Sequence, residues 1–281
     1  MLGQRVITAI VLLALLVPAL VASNSWPFQL LTLALIGAAG WEWGRLNSAS
    51  AAVSIGFGVA LVSACMAAWL AGWTTSTPAA IWWVATTVWV VGGSLALRAG
   101  PAAWLQVPRG LRWTLGLAAL WAAWLAMAAA RGQGLNFILS VFCIVWVADI
   151  AAYFGGRAFG RRKLAPTISP GKSWEGVWSG LLGVLLLAAG WLAWQGHAMA
   201  SGPSLFSALD RGFGPIIGAV VLLGLGGMSV VGDLTESLVK RSTGAKDSSR
   251  LLPGHGGVLD RVDALLPVFP IALALTTWSQ R

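Results

Sequence analysis

Charge is scarce in this chain. Nine Asp and Glu stand against eighteen Lys and Arg in 281 residues, and charged side chains of either sign make up only 10% of the total. No polar stretch is long enough to form a separate water-soluble domain. Cysteine is limited to Cys65 and Cys143, both inside apolar windows, which argues against a disulfide scaffold and against a thiolate metal site. His255 has no second histidine near it in sequence, so a zinc centre is not expected. The chain also lacks a Walker loop, a nucleophile elbow and a protease metal motif. It has no internal repeat of the kind that builds secondary transporters, and no motif that reads a nucleic-acid groove.

What fills the chain instead is apolar surface, 58% of residues with a mean hydropathy of +0.80. Windows close to the roughly 20 residues needed to cross a bilayer fall at 5–22, 27–44, 52–73, 79–97, 113–130, 134–153, 174–195, 214–233 and 258–278. These predict an all-α, polytopic integral membrane protein with nine transmembrane helices. Arg5, the apolar core after it and Ala19-Leu20-Val21-Ala22-Ser23 have the outline of a signal peptide, but the spans that follow favour a retained first helix. Trp26, Trp41, Trp43, Trp69, Trp73, Trp174 and Trp278 lie near predicted span ends, as an interfacial aromatic belt would place them.

Basic residues orient the chain. With the amino terminus inside, cytoplasmic segments hold Arg5, Arg45, Arg98, Arg109, Arg112, Arg157, Arg161, Arg162, Lys163, Lys172, Lys240, Arg241, Lys246 and Arg250, whereas the other face receives Arg131, Arg211 and Arg281. The net charge of +9 then reads as attraction for anionic lipid and polyphosphate. Residues 1–130 read as a transmembrane scaffold, with Glu42 the main intramembrane charge; an interfacial ion pair with Arg45 is its expected role, and a catalytic role is the alternative. Residues 131–281 read as a catalytic region with two charged cytoplasmic loops. Gly224, Gly226 and Gly227 are expected to serve close helix packing.

Three segments carry chemistry. In the first, Asp149 and Tyr153 share a helix face, and a basic loop leads to Ser169-Pro170-Gly171-Lys172-Ser173-Trp174-Glu175. Its end has the character of an anion-binding helix start, or equally of a helix capped by Ser173 with Glu175 in its first turn. In the second, Asp233, Glu236, Ser237 and Lys240 form one helical stripe ending at Arg241. Two acids there need a cation, and Lys240 is one source. In the third, Lys246 and Asp247 precede His255-Gly256-Gly257 and Asp260-Arg261-Val262-Asp263. The two acids one turn apart suit Mg²⁺, and the glycines permit close approach of a phosphate. Carboxylates for a divalent ion, beside lysines and arginines for a polyphosphate at a membrane edge, point to phosphoryl or nucleotidyl transfer to a lipid.

The run from Ser237 to Asp263, with Lys240-Arg241, Lys246-Asp247, Pro253, His255-Gly256-Gly257 and Asp260-Arg261-Val262-Asp263 at these separations, resembles the signature of phosphatidate cytidylyltransferases, also called CDP-diacylglycerol synthases. Asp149, Tyr153, Ser169-Pro170-Gly171-Lys172 and Gly232-Asp233 are similar to that family as well; Ser173 stands where the family often has Thr. The resemblance implies an inner-membrane homodimer that joins CTP to phosphatidic acid, giving CDP-diacylglycerol and pyrophosphate, with its site facing the cytoplasm. It further implies Mg²⁺, with K⁺ as a second ion in some members, held by Asp233, Asp260 and Asp263. Lys246 is expected to act with these acids in catalysis. Substrate contacts are expected from Lys172, Ser173, Ser237, Lys240, Arg241, Asp247, His255, Gly256, Gly257, Arg261, Asp149 and Tyr153, and no nucleic-acid partner is expected. A CTP-dependent lipid kinase and, in a different class, a membrane transporter are the alternatives.

Overall fold

A computed structural model describes residues 2–197 and 202–279. The chain forms α1 (Leu2–Val21), α2 (Trp26–Leu46), α3 (Ala51–Leu70), α4 (Ala79–Thr87), α5 (Ser94–Gln106), α6 (Arg109–Gly132) and α7 (Leu135–Phe159). After α7 come a hairpin of β1 (Lys163–Ala165) and β2 (Ser169–Ser173), then α8 (Trp174–His197), α9 (Leu205–Ser242), α10 (Leu259–Val262) and α11 (Leu265–Ser279). A π-helical stretch at Val88–Gly93 joins α4 to α5.

Among the described residues seven helical segments are long and apolar enough to cross a membrane: Gly3–Val21, Ala51–Leu70, Ala79–Gln106, Arg109–Gly132, Leu135–Phe159, Trp174–Gln195 and Leu205–Ser242. The expected windows 27–44 and 258–278 fall on α2 and α11, which are not among the seven. α2 carries Glu42 and Arg45, and α11 is only 15 residues long. α11 is the centre of the molecule. It packs on α4, α6, α7 and α9, and Val268, Phe269, Ala272, Leu273 and Ala274 along it are buried. Lined by protein on these sides, a helix need not match the thickness of the hydrocarbon core.

Two long helices bend where glycine precedes proline. Gly100 (φ 81) with Pro101 breaks α5, and Gly214 (φ 74) with Pro215 breaks α9. The proline ring removes an amide donor, and only glycine takes the positive φ before it without strain. Past its bend α9 continues unbroken to Ser242, beyond the apolar window.

Small residues bring α7 and α8 together. A Cβ at Gly155 would lie 1.9 Å from Ser179 Oγ, and one at Gly180 would lie 2.8 Å from the Ala148 carbonyl oxygen. The seam places the start of α8 against the end of α7, with the β hairpin above it. Of the glycines in α9, Gly226 closely approaches Leu181, whereas Gly224 and Gly227 face open space; Gly232 is pressed on the Asp263 carbonyl and Pro267. The packing role expected for the glycine cluster therefore holds at Gly226. Trp43 departs from the expected belt: it is buried, donates to the Arg112 carbonyl at 3.0 Å and meets Trp104 edge to face. Trp26, Trp174 and Trp278 are exposed, as belt residues would be.

Candidate active site

The antiparallel pairing of Lys163 with Ser173 and of Ala165 with Ser169 converts the basic loop into a hairpin. Ser173 at its end is buried and accepts the Gly176 N–H at 3.2 Å. It is thus the cap of α8, the simpler of its two expected roles. Glu175 accepts the backbone N–H groups of Arg161 and Arg162 and the Arg162 Nε, so it braces the loop.

Set by this hairpin, Lys172 reaches α9 and donates to Asp233 Oδ2 at 2.6 Å. The other Asp233 oxygen is 3.4 Å from the Ser237 hydroxyl. Lys172, Ser173 and Asp233 line a cavity of about 500 Å³ together with Asp149, Tyr153 and Arg157 from α7. The Asp149 carboxylate is exposed to that cavity, and the Tyr153 hydroxyl accepts a long contact of 3.4 Å from Arg157. The lining mixes the charges of Asp149, Arg157, Lys172 and Asp233 with the apolar side chains of Ala148, Val177, Leu181 and Val230.

One turn along α9, Lys240 Nζ lies 2.5 Å from Glu236 Oε2 and 2.6 Å from Asp260 Oδ1. All three side chains are at most 11% exposed. Asp260 Oδ2 accepts the Ser248 N–H and hydroxyl, each at 2.9 Å, and the Gly257 N–H at 2.8 Å. Burial alone would raise the Asp260 pKa. Lys240 and the Gly257 and Ser248 amides overcome it and bring the carboxyl down to about 2. Asp263 is different. Its Oδ1 accepts the N–H of Ala264 at 2.8 Å, and burial together with the neighbouring Asp233 carboxylate raises it to about 7.

These acids do not form a closed cage. Among the described residues no group of three or more His, Cys, Asp or Glu side chains is arranged to hold a metal ion. Asp260 is held on both oxygens by donors that include two backbone amides, whereas Asp233 is held by the Lys172 and Ser237 side chains. The Asp233 carboxylate is near enough to raise Asp263, a repulsion that a cation beside the two would offset. Two carboxylates of this kind fit Mg²⁺, which takes its remaining ligands from water and substrate phosphate.

Residues 3–278 match the cytidylyltransferase family. The chain belongs to that family. It is 39% identical to the phosphatidate cytidylyltransferase of Pseudomonas aeruginosa, over 98% of this chain and 97% of the relative. The protein of the same name from Haemophilus influenzae is 50% identical over 49% of this chain and 44% of its own length, and that from Brucella suis is 45% identical over 50% and 48%.

The other signature-like residues of this cytidylyltransferase-family chain divide by position. Lys246 and Asp247 are exposed on the loop after α9. Arg241 is drawn to the Ile168 and Ala245 carbonyls at 3.3 Å, tying the hairpin to the end of α9. Arg261 donates twice to the His255 carbonyl, and the buried His255 Nδ1 has no hydrogen-bond partner. At Gly256 (φ 81) a Cβ would sit 2.7 Å from Asp260 Oδ2, and at Gly257 it would sit 2.1 Å from Ser248 Oγ and 2.3 Å from Glu42 Oε1. Internal carboxylates thus already require these glycines, whatever a phosphate adds.

Glu42 is the residue whose place was missed. It is 0% exposed and makes no interfacial pair; Arg45 lies over the Trp41 ring at 4.8 Å. Glu42 Oε1 accepts from the Ser249 hydroxyl at 2.5 Å and Val258 N–H at 3.0 Å, and Oε2 from the Ser248 hydroxyl at 3.2 Å and Leu259 N–H at 2.7 Å. Its sequence signal was an acid inside an apolar window; the partners, more than two hundred residues away, left no trace nearby.

Proposed function

We propose that this chain transfers the cytidylyl group of CTP to phosphatidic acid, forming CDP-diacylglycerol and pyrophosphate. The observation that carries the reading is the meeting of Lys172 and Asp233 at a cavity whose lining is also partly apolar, in a chain whose family match runs nearly end to end. A phosphate oxygen of phosphatidic acid attacks the α-phosphorus of CTP. The new P–O–P link forms as the bond from the α-phosphorus to the bridging oxygen of the β-phosphate breaks, and that oxygen leaves with pyrophosphate. The nucleophile is already an anion near neutral pH, so the requirement is electrostatic: two anions must be brought together.

Lys172 leans on Asp233 until phosphate competes for it, which keeps a cation at the cavity without leaving it unpaired. Lys240, held between Glu236 and Asp260, is a fixed positive charge beside the same helix face. Lys246 and Asp247, exposed on their loop, are free to meet the nucleotide. Asp233 and Asp263 would hold Mg²⁺, which when bound supplies charge neutralisation on the triphosphate. Asp260 serves this arrangement through Lys240 and the loop amides.

The site would face the cytoplasm, on the inner membrane of a bacterium. Supporting this, Thr8 near the start of α1 donates to the Pro253 carbonyl at 2.8 Å, whereas Arg131 binds the Leu20 carbonyl at the other end of that helix. The amino-terminal end of α1 therefore shares a face with the charged loop. Incubation of purified protein with cytidine-labelled CTP, phosphatidic acid and Mg²⁺ is expected to move label into the lipid extract and release pyrophosphate. CDP and a newly phosphorylated lipid would instead indicate γ-phosphoryl transfer and overturn the reading.

A further inference from the structure

We infer that Glu42 is a positioning residue for the reaction: a carboxylate from the amino-terminal half that holds the loop 248–259 in the shape that presents Asp260 to Lys240. The inference rests on the cytidylyl-transfer reading for its kinetic consequence, but not for its structural one.

Glu42 gathers four donors from one loop. Between Ser248 and Leu259 the chain has only an isolated bridge from Leu252 to Gly256 and no long helix or strand. Its ends nevertheless converge on one side chain, for Glu42 accepts from Ser248 and Ser249 at one end and from Val258 and Leu259 at the other. Ser248 is shared: its hydroxyl meets both Glu42 and Asp260, while its N–H goes to Asp260 Oδ2. Gly257, with Glu42 packed against the space a Cβ would fill, sends its own N–H to Asp260. Glu42 thus fixes the groups that fix Asp260, and Asp260 fixes Lys240.

A buried carboxylate suits this task and an amide does not. Each Glu42 oxygen faces one backbone N–H, Val258 at Oε1 and Leu259 at Oε2. A glutamine offers one oxygen and one NH₂, so in either flip an NH₂ is set against a backbone N–H that cannot turn away.

The test uses full-length protein in detergent and compares wild type with Glu42→Gln and the milder Ser249→Ala. Hydrogen exchange is followed by mass spectrometry, and turnover is measured at saturating CTP. Glu42→Gln is expected to speed exchange in peptides covering 248–259 while peptides of α7 and α8 keep wild-type protection. Turnover is expected to fall on the order of 100-fold, the scale of a roughly 1 Å misplacement, with a much smaller change in the KM for CTP. Ser249→Ala is expected to show the same pattern more weakly, so the inference stays testable if Glu42→Gln does not fold. Wild-type turnover in both variants would overturn it, and so would loss of protection spread equally over α2, α7 and α8, which would make Glu42 a general stability residue. Should wild-type protein make no CDP-lipid, the function reading fails while exchange in the loop still decides the role of Glu42.

Discussion

Asp263 has one oxygen on the Ala264 amide and none of the four donor groups that hold Asp260, although the two acids are one turn apart. Their substitutions should therefore part company. Asp263→Asn removes a carboxylate that repels Asp233, so thermal unfolding in detergent should be unchanged or slightly later. Mg²⁺-dependent turnover should be lost if Asp263 holds the ion. Asp260→Asn breaks a buried pair and leaves Lys240 with Glu236 alone, a change that costs about 3 kcal/mol in comparable settings, so melting should come earlier as well as activity falling. The depressed Asp260 pKa gives the sign of a pH effect. Its stabilisation is full above about pH 4, the ordinary carboxylate range, and fades as the pH falls toward 2. Lys172→Ala should reduce turnover by on the order of 100-fold or more, as loss of a transition-state cation or donor does. It should leave melting nearly unchanged, because the pair with Asp233 is only partly buried. Retained activity would remove Lys172 from the proposed mechanism.

Among the elements, the α7–α8 seam is the part that positions the hairpin and hence Lys172. Gly155→Ala would place a methyl 1.9 Å from Ser179 Oγ and 2.2 Å from its Cβ, so rotation of the serine hydroxyl does not relieve the clash. Overpacking of this kind costs roughly 1–3 kcal/mol. Earlier melting with an accompanying loss of activity, both partly rescued by Ser179→Gly, is the expected result. Single-helix features of this region were legible in sequence: the window 174–195 matches the span Trp174–Gln195, and the Ser173 cap was one of two readings offered by its spacing to Glu175. Hydropathy located helices poorly where charge is paired internally. The window 214–233 stops at Asp233 and the helix goes on to Ser242, because Lys172 and Lys240 neutralise its acids. The pairings of Lys172 with Asp233 and of Glu42 with four partners depend on chain segments 61 and more than 200 residues apart, and no local pattern encodes such a distance.

On the scale of the whole molecule, α2 reaches the loop before α10 and α11 packs on α4 and α6, so residues 1–130 and 131–281 share one interior. The excess of lysine and arginine on the charged loops predicts that they face the cytoplasm. Cysteine labelling checks it directly. Cys65 is buried and Cys143 lies within α7, so replacing both by alanine provides a background for single reporters. Lys246→Cys, on the exposed loop after α9, should react with a membrane-impermeant maleimide in inside-out vesicles and stay unreacted in right-side-out ones. Gln133→Cys, exposed between α6 and α7, should show the opposite pattern. If position 246 reacts from the outside, CTP in the cytoplasm cannot reach Lys172 and Asp233, and the proposed direction of synthesis fails with it.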